Sequence, residues 1–250
     1  MSFWRAACRL PPALLALSLA FAPSARAGDL PPGFVRLSQV APTIRQAIRY
    51  AGSDNFVGRP LDGYEAPACI LRKEAAEALA RVQSGIERLH MTLVVYDCYR
   101  PLRAVADILA WAKAADGPEH GPQFPVEARS KLVALGYIAA HSQHSTGTAV
   151  DLGLADLDRP PIQARSGADC TSPIAKRGDA GALDFGTAFD CFDPKSATRA
   201  DGISAEAAAN RTLLVRAMEA QGFSNYAREW WHFGYVVRGA KAQDFPVTGN

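Results

Sequence analysis

Four cysteines, Cys69, Cys98, Cys170 and Cys191, follow a stretch that reads as a removable export leader, and that combination constrains the fold more than any other feature of the chain. Arg5 and Arg9 precede an apolar run from Leu10 to Ala22, and Ala25-Arg26-Ala27 supplies a small-x-small cleavage pattern, so residues 1–27 are expected to be a signal peptide cut after Ala27. Cys8 precedes the apolar run and is not placed as a lipid anchor. The run is shorter than the roughly 20 apolar residues a membrane helix needs, and no later segment approaches that length. The expected product is a periplasmic or secreted protein without a membrane span, folded over residues 28–250 as one domain. Four cysteines in an oxidising compartment allow three pairings, of which Cys69–Cys98 with Cys170–Cys191 is preferred because each pair brackets one segment. A four-cysteine zinc site is the competing use, and the absence of any C-x-x-C argues against it.

Charge excludes one function class. Taking the three arginines of residues 1–27 from the 27 basic residues leaves 24 against 25 acidic ones, so nothing electrostatic favours nucleic acid.

Hydrophobic spacing predicts the elements. Ile44, Ala47 and Ile48 suggest a short helix, followed by a loop from Asp54 to Pro67. Leu79, Val82, Ile86 and Leu89 form the apolar stripe of a helix within Leu71 to Leu89. Met91 to Tyr96 reads as a strand, and Pro101 opens a helix from Leu102 to about Lys113. A further helix is expected from about Val126 to Leu135, stopped by Gly136, and a short strand from Gly147 to Leu154. Asp156 to Asp201 is loop-like and long enough to need stapling, a task for Cys170–Cys191. Ser204 caps a helix that buries Leu213, Leu214, Ala217 and Met218 and stops at Gly222, and a last strand runs from Trp230 to Val237. The class is α+β: a small, mainly antiparallel central sheet flanked by helices.

Five histidines, at 90, 120, 141, 144 and 232, limit any imidazole chemistry, and no H-E-x-x-H occurs. A hydrolytic zinc needs three nitrogen or oxygen ligands and an open position. His144 and Asp151, linked through Gly147, can come from a turn and the strand it feeds. His141 forms an H-x-x-H pair with His144 and is a rival ligand. In Glu229-Trp230-Trp231-His232, strand alternation would put the carboxylate and the imidazole on opposite faces. If both serve one site, Glu229 lies in an irregular entry to the strand; otherwise His232 is a core histidine. Arg100, at the end of Tyr96-Asp97-Cys98-Tyr99-Arg100-Pro101, either stabilises an oxyanion or pairs with Asp97.

Taken together, Ser142-x-His144-x-x-Gly147-x-Ala149-x-Asp151 and Glu229-Trp230-Trp231-His232 resemble the two zinc motifs of D-alanyl-D-alanine dipeptidases, the zinc dipeptidases of the vancomycin-resistance type. The resemblance extends to Tyr50-Ala51-x-x-Asp54-Asn55-Phe56-x-Gly58, Asp62-Gly63-Tyr64, Tyr99-Arg100-Pro101, Gly186-Thr187-x-Phe189-Asp190, and Asn210-Arg211 through Gly222-Phe223, thus from about residue 44 to 235. It implies a single-zinc peptidase fold with one zinc per chain on His144, Asp151 and His232. It also implies Glu229 activating the zinc-bound water and protonating the leaving amine, and Arg100 steadying the oxyanion. Tyr50, Tyr64 and Ser142 match substrate-pocket positions, and Asp190 the carboxylate that receives the ammonium of a D-Ala-D-Ala dipeptide. His144 is preferred to His141 because only His144 sits in the full motif. The leader, the cysteines and Pro194-Lys195-Ser196-Ala197 depart from the familiar pattern, the last where a histidine-containing stretch is expected. Two other functions share these residues: a zinc carboxypeptidase or endopeptidase acting on peptidoglycan stem peptides, and a non-catalytic zinc-binding module.

Overall fold

The structure, a computed structural model, describes residue 1 and residues 30–158, 168–178 and 181–249. Apart from Met1, the expected leader lies outside the described residues. Among those described, no helix is long and apolar enough to cross a membrane.

In chain order, β1 (Phe34–Arg36) leads into a single helical turn, α1 (Leu37–Val40), then β2 (Arg45–Gln46), β3 (Ile70–Arg72), α2 (Lys73–Glu87), β4 (Met91–Asp97) and α3 (Leu102–Lys113). β5 (Ala149–Asp156), the short α4 (Ile174–Arg177), α5 (Ala205–Glu219), β6 (Phe223–Asn225) and β7 (His232–Tyr235) complete the set. Five strands form one sheet in the order β2-β4-β5-β7-β6; β2 joins β4 in parallel and every other pairing is antiparallel. β1 and β3 make a separate antiparallel pair. The expected α+β class, with its mainly antiparallel central sheet flanked by helices, is the observed one.

The central strand β5 is buried on both faces. Val150, Leu152 and Leu154 point one way and Asp151, Gly153 and Ala155 the other, all with at most 2% exposure except Gly153, which is also buried. α2 packs on β4 and α5 on β5 and β6, and the two helices also pack on each other. Leu79, Val82 and Ile86 are buried as the stripe required, but α2 stops at Glu87, so Leu89 lies beyond it with 53% exposure. Of the four residues expected to be buried in α5, Leu214 and Met218 are fully so, and Leu213 and Ala217 only partly.

Three expectations fail for physical reasons. Ile44 and Ile48 bracket β2 rather than a helix, because a spacing of four also keeps residues on one face of an extended chain. The helix from Val126 to Leu135 is replaced by a single 3-10 turn, Arg129–Lys131. Only Leu132 of its apolar residues is fully buried; Val126 and Leu135 face solvent, so no common face pays for a helix there. The last strand begins at His232, and Trp230 and Trp231 lie in a turn.

Both preferred disulfides form, Cys69–Cys98 and Cys170–Cys191. The second staples the long segment between β5 and α5, whose only regular pieces among the described residues are α4 and a 3-10 turn, Pro194–Ser196.

Gly147 is the hinge that feeds β5. Its φ of 71° is left-handed, and a Cβ there would lie 2.3 Å from the Phe34 ring. Gly147→Ala is expected to destabilise the fold by about 2–4 kcal/mol, combining backbone strain with overpacking, measured as a lower denaturant midpoint.

Candidate active site

The site is built on one row of the sheet. Asp97 pairs with Asp151 across β4 and β5, and Asp151 pairs with His232 across β5 and β7. A bulge between Val95 and Asp97 brings Asp97 into that row; without the extra residue, Tyr96 would stand opposite Asp151. His144 comes from the 3-10 turn Gln143–Thr146 just before Gly147. Ser142 caps that turn, its hydroxyl accepting the His144 N–H at 3.3 Å.

Three potential ligand atoms converge here. His144 Nε2 lies 3.1 Å from His232 Nδ1 and 3.2 Å from Asp151 Oδ2, and His232 Nδ1 lies 3.0 Å from Asp151 Oδ1. His144, Asp151 and His232 are the only group of three or more metal-capable side chains among the described residues. The other ring nitrogen of His144, Nδ1, is 2.6 Å from the Cys98 carbonyl, which can only accept. Nδ1 therefore carries a proton, and Nε2 is the ring nitrogen turned toward Asp151 and His232. Tetrahedral ligands at zinc distances of about 2.0–2.1 Å are about 3.3 Å apart. Two nitrogens at nearly that spacing, each faced by one oxygen of the Asp151 carboxylate, fit a zinc ion by donor chemistry and by size. The rival His141 is exposed and outside the cluster.

Glu229 lies in the turn before β7, as convergence with His232 requires: its N–H bonds the Tyr226 carbonyl and its own carbonyl accepts the His232 N–H. Its carboxylate reaches to 3.9 Å from His232 Nδ1. The side chains of Glu229 and His232 keep 23% and 17% exposure against 3% or less for Asp151 and His144, so the site opens on the Glu229 side.

Arg100 takes the second alternative raised by its position, the pairing with Asp97. Its Nε and Nη2 bond Asp97 Oδ2 at 2.9 and 2.7 Å, and Nη2 also stands 3.7 Å from Asp151 Oδ2. Its guanidinium carbon lies 4.8 Å from the centre of the Tyr50 ring. The Tyr50 hydroxyl donates to Asp190 Oδ2 at 2.7 Å and the Tyr64 hydroxyl to Asp97 Oδ1 at 2.5 Å. Tyr64 thus braces the partner of Arg100. Asp190 is held in the left-handed region, φ 57°, which a short polar side chain tolerates better than most. Beside it Phe189 stacks on Tyr96 with ring centres 5.0 Å apart and meets the Trp231 ring edge-on.

Burial sets the charge states. Burial disfavours ionisation of Asp151, but His144 and His232 outweigh it and hold the carboxyl well below the usual range. Burial would lower His144, yet Asp151 beside it raises the imidazole overall. Burial pushes Glu229 up to about 7 against the pull of His232, and lifts Asp190 well above the ordinary carboxylate range with help from the charge of Asp151. Tyr50 and Tyr64 are raised in the same way and stay neutral donors.

Two contributors were not legible as such. Asp97 was visible only as a salt-bridge partner, since the bulge that puts it in the row leaves no sequence signal. The Cys98 carbonyl that orients His144 is a backbone group, and its only trace is the neighbouring disulfide.

A buried His-Asp-His cluster beside a carboxylate poised near neutrality, carried on an α+β sheet, has the composition of a metallopeptidase centre. The comparisons narrow that class. A family profile described as D-ala-D-ala dipeptidase matches residues 31–163 and 160–247. A D-alanyl-D-alanine dipeptidase of Enterococcus faecium is 34% identical over 223 residues, 86% of this chain and 98% of that protein. One of Streptomyces coelicolor is 35% identical over 80% of this chain and 90% of its own length, and one of Escherichia coli 32% identical over 80% and 82%. The chain belongs to the D-Ala-D-Ala dipeptidase family.

Substituting His144, Asp151 or His232 by Ala should each abolish stable zinc binding, whereas His141→Ala should leave about one zinc per chain, read by elemental analysis of the purified proteins.

Proposed function

We propose that this protein is a zinc dipeptidase, with one zinc per chain on His144, Asp151 and His232, that hydrolyses D-alanyl-D-alanine to D-alanine. One observation carries the reading: His144 Nε2, Asp151 and His232 Nδ1 converge to 3.0–3.2 Å, with the Glu229 carboxylate 3.9 Å from His232 Nδ1 and the Arg100 guanidinium 3.7 Å from Asp151. When bound, zinc supplies a Lewis acid that makes water nucleophilic near neutral pH.

Glu229, at about 7, is matched to both halves of the proton transfer: its carboxylate accepts a proton from the attacking water and returns it to the leaving amine. Arg100, clamped on Asp97 and always charged, presents its guanidinium beside Asp151, where the oxyanion of a tetrahedral intermediate would develop. Asp190 receives the substrate's free ammonium. Its raised pKa means that it holds a proton when no cation faces it, and an arriving ammonium favours the ionised form. Tyr50 fixes the orientation of that carboxylate, and half-buried Ser142, beside His144, is the remaining pocket position. A blocked amino terminus would leave Asp190 facing a neutral group in a confined space, which favours short peptides with a free amine.

Residues 1–27 act in this reading as a leader removed on export to the periplasm or medium. Two disulfides suit an oxidising compartment, and N-terminal sequencing of the exported protein should begin at Gly28.

The purified protein should cleave D-Ala-D-Ala and spare its N-acetylated form; cleavage of peptidoglycan stem peptides alone would overturn the assignment. Glu229→Gln should lower kcat by about 10²–10⁴-fold with zinc still bound, and unchanged activity would leave only a binding module. Because Glu229 must be ionised to act as a base, kcat/KM should fall as pH drops. Positive charge at the ligand cluster favours the carboxylate, as His232 does, so the inflection should lie at or below about 7.

A further inference from the structure

Asp97 is wholly buried at the bulged end of β4, directly opposite Asp151. Two carboxylates facing each other across adjacent strands repel unless a cation lies between them, and Arg100 is that cation. It is shared unequally: Nη2 is 2.7 Å from Asp97 Oδ2 but 3.7 Å from Asp151 Oδ2, and Nε adds a second bond to Asp97. The Tyr64 hydroxyl occupies the other oxygen of Asp97, so that carboxylate cannot turn away from the arginine. Asp151 Oδ2 is also the oxygen that stands 3.2 Å from His144 Nε2, inside the ligand cluster.

We propose that Asp97 is a positioning residue that holds Arg100 off Asp151, so that the ligand oxygen stays available to the metal while the guanidinium stays aimed at the substrate. The inference rests on the zinc reading of His144, Asp151 and His232. Without the Asp97 charge, Asp151 becomes the nearest carboxylate to a buried guanidinium, and closing a gap of about 1 Å puts the arginine in competition with the metal for one oxygen. The orientation of His144 does not depend on Asp97, because its Nδ1 proton is held by the Cys98 carbonyl at 2.6 Å, against 3.4 Å to Asp97. The effect therefore runs through Arg100.

Zinc affinity, measured by competition with a chromogenic chelator on the wild type, Asp97→Asn, Arg100→Met and the double variant, separates the possibilities. Asn still accepts the Tyr64 hydroxyl and removes only the charge. Asp97→Asn should bind zinc about 10- to 100-fold more weakly, and the added Arg100→Met should restore affinity to within about threefold of Arg100→Met alone. Wild-type affinity in Asp97→Asn, or a double variant as weak as Asp97→Asn, overturns the proposal. If circular dichroism shows Asp97→Asn unfolded, the charge-balanced double variant still decides: affinity equal to that of Arg100→Met supports action through the arginine, and weaker binding overturns it. A wild type that binds no zinc would instead sink the metal reading itself.

Discussion

The register of three neighbouring strands is what the rest of the structure depends on. Asp97, Asp151 and His232 occupy one row across β4, β5 and β7, and a slip of one residue in either pairing would send a side chain to the far face of the sheet. That row is electrostatically expensive. Asp97, Asp151, Asp190 and Glu229 are four carboxylates set close together, and Arg100 is paired with two of them, Asp97 and Asp151. Burial raises Glu229 and Asp190, with the negative charge of Asp151 adding to both, and that same charge raises His144 against its burial. A cation among His144, Asp151 and His232, or one facing Asp190, would favour the ionised carboxylates.

Each half of the site is anchored from behind. Arg211 of α5 donates to the carbonyls of Phe185, Lys195 and Ala197, and so ties together the loop that carries Asp190. Burial lowers that guanidinium to about 10, but three carbonyl acceptors keep its N–H groups satisfied. On the other side, the Gln243 N–H bonds the Ser145 carbonyl and the Gln243 carbonyl accepts from Leu102, while the Phe245 ring stacks on Tyr99 at 4.1 Å. The last residues thus brace the turn bearing His144 and the start of the helix after Arg100.

What was legible in the sequence divides by range of interaction. α2 and α5 follow from local periodicity, because each buries one face of a helix; α3 follows from the helix-opening Pro101, and β4, buried on both faces, from its β-branched and aromatic residues. Val126 to Leu135 misled because Leu132 is buried while Val126 and Leu135 face solvent, so its apolar residues share no buried face, and Ile44 and Ile48 because a spacing of four suits two geometries. His144, Asp151 and His232 were legible through motif and chemistry, and the need for Glu229 to sit outside the strand, if it shares a site with His232, followed from alternation. The bulge at Tyr96 and the hydrogen bond from His144 to the Cys98 carbonyl belong to long-range packing, which no local pattern encodes.

The disulfides join these two scales. Cys98 lies next to Asp97, two residues from Arg100, and its carbonyl fixes the tautomer of His144; its partner Cys69 adjoins β3. Cys191 follows Asp190 directly, and its carbonyl accepts the Ser196 hydroxyl at 2.6 Å. One cross-link therefore sits beside Asp97, Arg100 and His144 and the other beside Asp190. A cross-link acts chiefly by limiting the unfolded chain, more so as the loop it closes lengthens. Here the paired cysteines lie 29 and 21 positions apart, and each cross-link ends beside a buried carboxyl group, Asp97 or Asp190. Asp190, with its left-handed backbone and raised carboxyl, has the greatest need of such support, because neither its conformation nor its charge favours the position it occupies.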